Sequence, residues 1–124
     1  SHTTRAIVEF IDLYPTLIDY AGLEAPHPLS GQSIRSILDN PSVPGKIAAY
    51  PQVTRGDKIG RSVRTQRWRY TEWGPKGKFG VELYDHHKDT GEYYNLSGNP
   101  EYADLCNHLK QLLTKGIPTN TKKR

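Results

Sequence analysis

Methionine is absent from all 124 residues, including position 1. A complete unprocessed translation product is therefore not expected, and the chain reads as a fragment, a processed chain or a trimmed one. The single cysteine, Cys106, forbids an internal disulfide and leaves the redox compartment open. No apolar run approaches the roughly 18 residues of a membrane-crossing helix, so no membrane span is expected within this piece. A Gly-rich phosphate loop, a CxxC pair and a supported Ser-His-Asp order are all missing. Apolar residues make up 35% of the chain and mean hydropathy is -0.73, so the core is lean. Neither sign of charge dominates. Seventeen basic side chains against thirteen acidic ones give +4, enough to attract anions but below the level of a dedicated nucleic-acid binder. Part of that excess is the tail Lys122-Lys123-Arg124, read as a solvated end. By length this is one domain, able to bury about two-thirds of its unfolded surface.

What is present centres on Gly60 to Asp85, GRSVRTQRWRYTEWGPKGKFGVELYD, which holds both tryptophans. Two β-patterned runs meet at Gln66-Arg67, a Gly/Pro/Lys loop follows, and a third short run covers Val81 to Asp85. A two-residue turn at Gln66-Arg67 places Thr65 opposite Trp68, Val63 opposite Tyr70 and Arg61 opposite Glu72. The other face sets Ser62 against Thr71 and Arg64 against Arg69. Two like charges directly opposite oppose pairing, so an acidic group is expected between them. Gln-Arg lacks the Asn-Gly or Asp-Gly chemistry that favours positive φ, so the turn itself is a weak signal.

Upstream, Asp12 is an N-cap candidate for a helix over 12–21. Pro15 falls in its first turn, Leu13, Leu17 and Ala21, flanked by Tyr14 and Ile18, form one apolar stripe that is expected to be the helix's buried face, and Gly22 supplies the stop. A short helix is predicted over 33–38, capped by Ser33 or Gly31 and ended by Asp39-Asn40-Pro41. Ile47 to Thr54 reads as a strand that Pro51 pushes to the sheet edge. Asn99 and Pro100 open a helix over Pro100 to Lys115, with Tyr102, Leu105, Cys106, Leu109, Leu112 and Leu113 at helical spacing and Gly116 with Pro118 as stop. The expected fold class is α+β: a four-stranded antiparallel sheet packed by a long C-terminal helix and preceded by short helices. The divisions are 1–45 for the leading helices, 46–118 for the sheet and helix, and 119–124 for the basic tail.

Several short blocks carry a resemblance. Asp12-Leu13-Tyr14-Pro15-Thr16-Leu17, Ala21-Gly22-Leu23, Gly31-Gln32-Ser33-Ile34, Ser-Val-Arg-Thr from Ser62, Thr71 and Trp73, Glu82-Leu83-Tyr84-Asp85, Lys88-Asp89-Thr90-Gly91-Glu92 and Tyr94-Asn95-Leu96 occur in order. Together they resemble the C-terminal subdomain of sulfatases, most closely the iduronate-2-sulfatase-like group, across most of residues 6 to 115. The resemblance implies that residues 1–45 are the end of the catalytic-domain region. It also implies sulfate-ester hydrolysis by a formylglycine made from Cys or Ser in a Cys-x-Pro-x-Arg type signature, with a calcium ion held by Asp and Asn. The chain has none of that signature. Formylglycine and calcium are expected in a catalytic domain of the same parent chain, with a sulfated sugar or other sulfate ester as the parent's substrate. The location it implies is periplasmic, secreted or lysosomal.

Within the chain, therefore, neither a catalytic nor a metal residue is assigned. Cys106 sits on an apolar helical stripe and reads as an inert buried thiol. His86-His87 project to opposite sides of a strand end and are badly placed to share an ion. Arg55-Gly56-Asp57 is a chance tripeptide in a Gly-containing turn. The functional candidates are Arg61, Arg64 and Arg69, with Arg67 nearby, as a rim that attracts a sulfated substrate; the competing reading pairs them with carboxylates. An alternative function is a basic nucleic-acid-binding or protein-interaction module. The nucleic-acid reading requires Trp68, Tyr70 and Trp73 to be exposed stacking platforms.

Overall fold

The computed structural model describes residues 2–116. The expectations for Pro118 and for the tail 119–124 fall outside those residues. The chain divides into two compact units, Ser1–Ala49 and Tyr50–Arg124.

The first unit is built on a buried charge. A 3-10 turn Phe10–Asp12 leads into α1, Leu13–Ala21, and α2 covers Arg35–Asp39. Asp12 is 0% exposed. Its carboxylate accepts from the Glu9 N–H at 2.8 Å, the Gln32 N–H at 3.0 Å and Lys46 Nζ at 2.8 Å, and the same ammonium reaches Glu9 at 2.7 Å. A buried carboxylate is tolerable only when paired and hydrogen-bonded in this way. Thr16 continues the network, donating to the Asp12 carbonyl at 2.5 Å and accepting from the Ile34 N–H at 3.0 Å. An isolated bridge joins Ile7 to Lys46.

Three features of this unit differ from the sequence expectation. Asp12 makes no side-chain cap bond to α1, because its oxygens are committed to the preceding turn at Glu9 and to Gln32 and Lys46, distant in sequence. The apolar stripe of α1 is also not buried: Leu13, Tyr14 and Leu17 are 46%, 50% and 67% exposed, and Pro15 and Thr16 face inward instead. α2 starts at Arg35 rather than at residue 33, since Ser33 Oγ accepts from the Arg35 N–H at 3.2 Å and donates to Asp19 at 2.5 Å.

The second unit is an antiparallel sheet in the order β1-β2-β3-β4, with β1 Gln52–Arg55, β2 Lys58–Arg64, β3 Trp68–Trp73 and β4 Val81–Asp85. The fold class and the β2–β3 register agree with the sequence expectation: Arg61 pairs with Glu72, Ser62 with Thr71, Val63 with Tyr70 and Arg64 with Arg69. β1 is outermost as expected but begins only at Gln52, after Pro51. Pro51 has no N–H to give, and its carbonyl accepts from the Ser62 N–H at 2.9 Å. The outer edge of β4 is closed by a loop: Asn95 accepts from the Leu83 N–H and donates to the Val81 carbonyl, both at 3.0 Å, and the Leu96 N–H reaches the Leu83 carbonyl at 2.8 Å. Asn95 thus does with its side chain what a fifth strand would do with its backbone.

Asn99 caps the last helix through the Glu101 N–H at 3.0 Å. A 3-10 turn Pro100–Tyr102 precedes α3, Ala103–Gly116. α3 packs on β2 and β3, burying Leu109 and Leu113 with Val63, Tyr70 and Leu83, while Tyr102 sits against Trp68 at 5.7 Å between ring centroids. Fully burying each aliphatic side chain contributes about 1.5–3 kcal/mol.

Leu109→Ala is expected to cost about 2–5 kcal/mol, read as a lowered denaturant midpoint, and Leu109→Asp is expected to prevent folding of the second unit. Burial by itself would raise the Asp12 pKa, but Lys46 and the Gln32 and Glu9 N–H groups outweigh it and hold the carboxyl below its ordinary value. A depressed folded value means that the stability Asp12 contributes is present above its unfolded pKa of about 3.9 and is lost as pH falls through the lower folded value. Acid titration of unfolding should therefore show Asp12→Asn already destabilised at neutral pH and flatter than the parent sequence below about pH 4.

Candidate functional site

Arg64 ends β2 and Arg69 lies early in β3, directly opposite one another. Strand alternation puts both on the sheet face away from α3, because Val63 and Tyr70 point to the helix. The connecting turn is held by Thr65 rather than by positive φ. Its N–H donates to the Trp68 carbonyl at 2.9 Å, and its Oγ1 accepts from the Trp68 N–H at 2.9 Å. Arg67 is fastened separately, with Nε and Nη2 on the two oxygens of Asp85 at 2.9 and 2.6 Å. Asp85 is 2% exposed. The Arg67 guanidinium, with help from the His87 N–H, holds its carboxyl below the usual range against the opposing effect of burial.

The acidic group that the facing arginines require is Glu92. It pairs with Arg69 and meets His86 Nε2 at 2.5 Å, and Arg69 also lies over the Tyr84 ring at 5.4 Å. Glu92 has φ 58°, the left-handed region that costs an L-residue roughly 1–2 kcal/mol. Arg64 donates to the Thr65 carbonyl. Burial lowers its pKa first, Glu92 opposes that effect, and Arg69 adds to it. Arg69 Nε is buried with no hydrogen-bond partner, an unusual state for a charged donor. Glu92 thus contacts Arg69 and His86, and reaches Arg64 only through its longer-range charge. The arrangement has spare N–H donors in the fork geometry that suits an oxyanion.

The structure brings Arg64 and Arg69 together and leaves Arg61 exposed on the opposite face, in register with Glu72. His86 belongs to the cluster through Glu92, whereas exposed His87 lies outside it and donates its backbone N–H to Asp85 at 3.0 Å. Glu92 was hidden in the sequence by its place in a turn-forming series. The only signal for it was the like-charge pair that needed compensation. No nucleophile joins the cluster. Burial raises the pKa of Cys106, on α3, and keeps it a thiol. Among the described residues no group of three or more His, Cys, Asp or Glu side chains is placed to hold a metal ion. Calcium and a formylglycine do not fit the residues present here. Tyr70 is buried and Trp68 packs on Tyr102, so neither is the open platform that the nucleic-acid reading requires.

Over residues 1–118 the chain matches the family described as N-sulphoglucosamine sulphohydrolase, C-terminal. The chain belongs to that sulfatase family. Among its curated relatives, a Delta 4,5-hexuronate-2-O-sulfatase of Bacteroides thetaiotaomicron is 36% identical over 83% of this chain and 22% of its own length. Arylsulfatase K of Mus musculus is 26% identical over 87% of this chain and 21% of its own. A solved structure described as in complex with its substrate D-glucosamine-2-N,6-O-disulfate superposes with a TM-score of 0.74 at 29% identity, covering 84% of this chain and 22% of that one. The chain therefore spans about a fifth of the length of the sulfatases it matches. No helix among the described residues is long and apolar enough to cross a membrane.

Replacing Glu92 separates its two burdens. Glu92→Ala loses the ion pair and keeps the left-handed backbone, whereas Glu92→Gly loses the pair and relieves the strain. Thermal melts should place Glu92→Ala below Glu92→Gly by about 1 kcal/mol.

Proposed function

We propose that the protein to which this chain belongs is a sulfuric ester hydrolase acting on a sulfated sugar, and that this chain supports its catalytic part and lends Arg64 and Arg69 to the rim of the substrate pocket. The observation that carries the rim assignment is the shortage of carboxylate around two facing guanidiniums, with Arg69 Nε buried and unpartnered. A sulfate or uronate oxygen supplies the acceptor that the cluster lacks. Arg61, on the other face, enters only as an exposed cation.

The hexuronate-2-O-sulfatase relative supports a finer reading, an iduronate-2-sulfatase-like specificity for a uronate 2-sulfate. The apolar residues of α1 that remain exposed here, Leu13, Tyr14 and Leu17, are the proposed contact with the catalytic part. The formylglycine and calcium belong, on this reading, to that part of the parent chain.

Arg64→Ala in the parent enzyme is expected to raise KM for a sulfated uronide about tenfold, the loss of roughly one charge-assisted hydrogen bond, while kcat changes little. An unchanged KM with a lowered melting temperature would assign Arg64 to structure alone.

A further inference from the structure

The same sheet face carries a second cationic cluster at the β1–β2 hairpin, six strand positions from Arg64 and so about 20 Å away at a rise of roughly 3.3 Å per residue. Arg55 and Lys58 are register partners there. The Arg55 guanidinium lies over the Trp73 ring at 5.1 Å, and Lys58 and Lys78 lie over the Phe79 ring at 5.2 and 5.6 Å. Both rings are seated on glycine. A Cβ at Gly60 would meet Trp73 ring carbons at 2.9–3.0 Å, and one at Gly74 would meet Phe79 Cδ2 at 2.4 Å. Trp73 is further fixed by Nε1 donating to Glu82 at 3.0 Å. Among the described residues none of these three cations pairs with a carboxylate. Glu82 is already engaged by the indole, which leaves Asp57 of the hairpin turn as the nearby acid.

We propose that Arg55, Lys58 and Lys78, set on Trp73 and Phe79, form a holding site for an extended sulfated polysaccharide, separate from the Arg64 and Arg69 rim. Cation–π contacts of this kind fix the heads of side chains that would otherwise lose rotamer freedom on binding. Three unneutralised cations then present N–H donors outward to sulfates spaced along a polymer. Both rings carry the protein's own cations, and although Phe79 stays half exposed, three cations without carboxylate partners favour a polyanion whose charges are closely spaced over one held by base stacking. The inference rests on the sulfatase reading above, and it adds a site that retains the polymer while another part of the protein acts on it.

The test uses the full-length parent protein and immobilised heparin as the sulfated polymer, with unsulfated hyaluronan and oligo-dT as comparators. Heparin should bind in a salt-sensitive manner and more tightly than either comparator. The variant R55Q/K58Q/K78Q should weaken that binding about tenfold and leave turnover of a small sulfated monosaccharide intact. Because Arg55 packs on Trp73, the double variant K58Q/K78Q with a melting curve separates lost binding from lost folding, and K58R/K78R should restore retention. Unchanged heparin affinity in both glutamine variants, or preference for oligo-dT, overturns the holding site. Absence of monosaccharide turnover by the unmodified parent instead overturns the sulfatase reading.

Discussion

The pairing of Arg64 with Arg69 is the constraint from which the second unit's less regular features follow. Strand alternation leaves no freedom: once Val63, Tyr70 and Leu83 face Leu109 and Leu113 of α3, the two arginines must stand opposite each other on the far side. The apolar side is worth about 1.5–3 kcal/mol per buried side chain, against roughly 0.2–1 kcal/mol for a cross-strand repulsion, so the core decides the register. The repulsion is then answered locally. The chain after β4 folds back to bring Glu92 to Arg69 and His86, and it accepts a left-handed backbone at a non-glycine residue to do so. Strain and spare positive charge therefore coincide at the cluster proposed to meet an anionic substrate.

The first unit solves a different problem with similar means. It holds few buried apolar groups, Pro15, Ile37 and Ala48, and it is organised by Asp12, Lys46 and Thr16 instead. Buried ion pairs of this sort contribute little net stability, but removing either partner leaves an uncompensated charge. The consequence is a unit whose order rests on polar geometry while Leu13, Tyr14 and Leu17 stay in solvent. An apolar helical face of that size is what a catalytic part of the same protein would cover on the proposed reading.

Much of the second unit was legible in the sequence because its signals are local and periodic. The period-two pattern around Val63 and Tyr70, the Asn99-Pro100 helix start and the leucine spacing of α3 each read directly. What was not legible depended on residues far apart. The Gln66-Arg67 turn is held by the Thr65 side chain and by Arg67 on Asp85, neither of which is a turn propensity. Asp12 resembles a helix cap until Gln32 and Lys46 come to it from 20 and 34 residues away. The segment 47–51 has strand composition, but pairing within this sheet starts only past Pro51. For the site, Arg64 and Arg69 were readable as a pair, whereas Glu92 and His86 enter only through the return of the loop after β4.

The functional account joins these pieces into one claim: the chain supplies cations and packing surface to sulfate-ester chemistry whose nucleophile and metal lie in other residues of the same protein. Its most direct test is sulfate release from a sulfated uronide, measured side by side for the purified parent protein and for the purified 124-residue chain. The account requires turnover by the parent and none by the chain; sustained release by the chain alone, or no release by the parent, would contradict it.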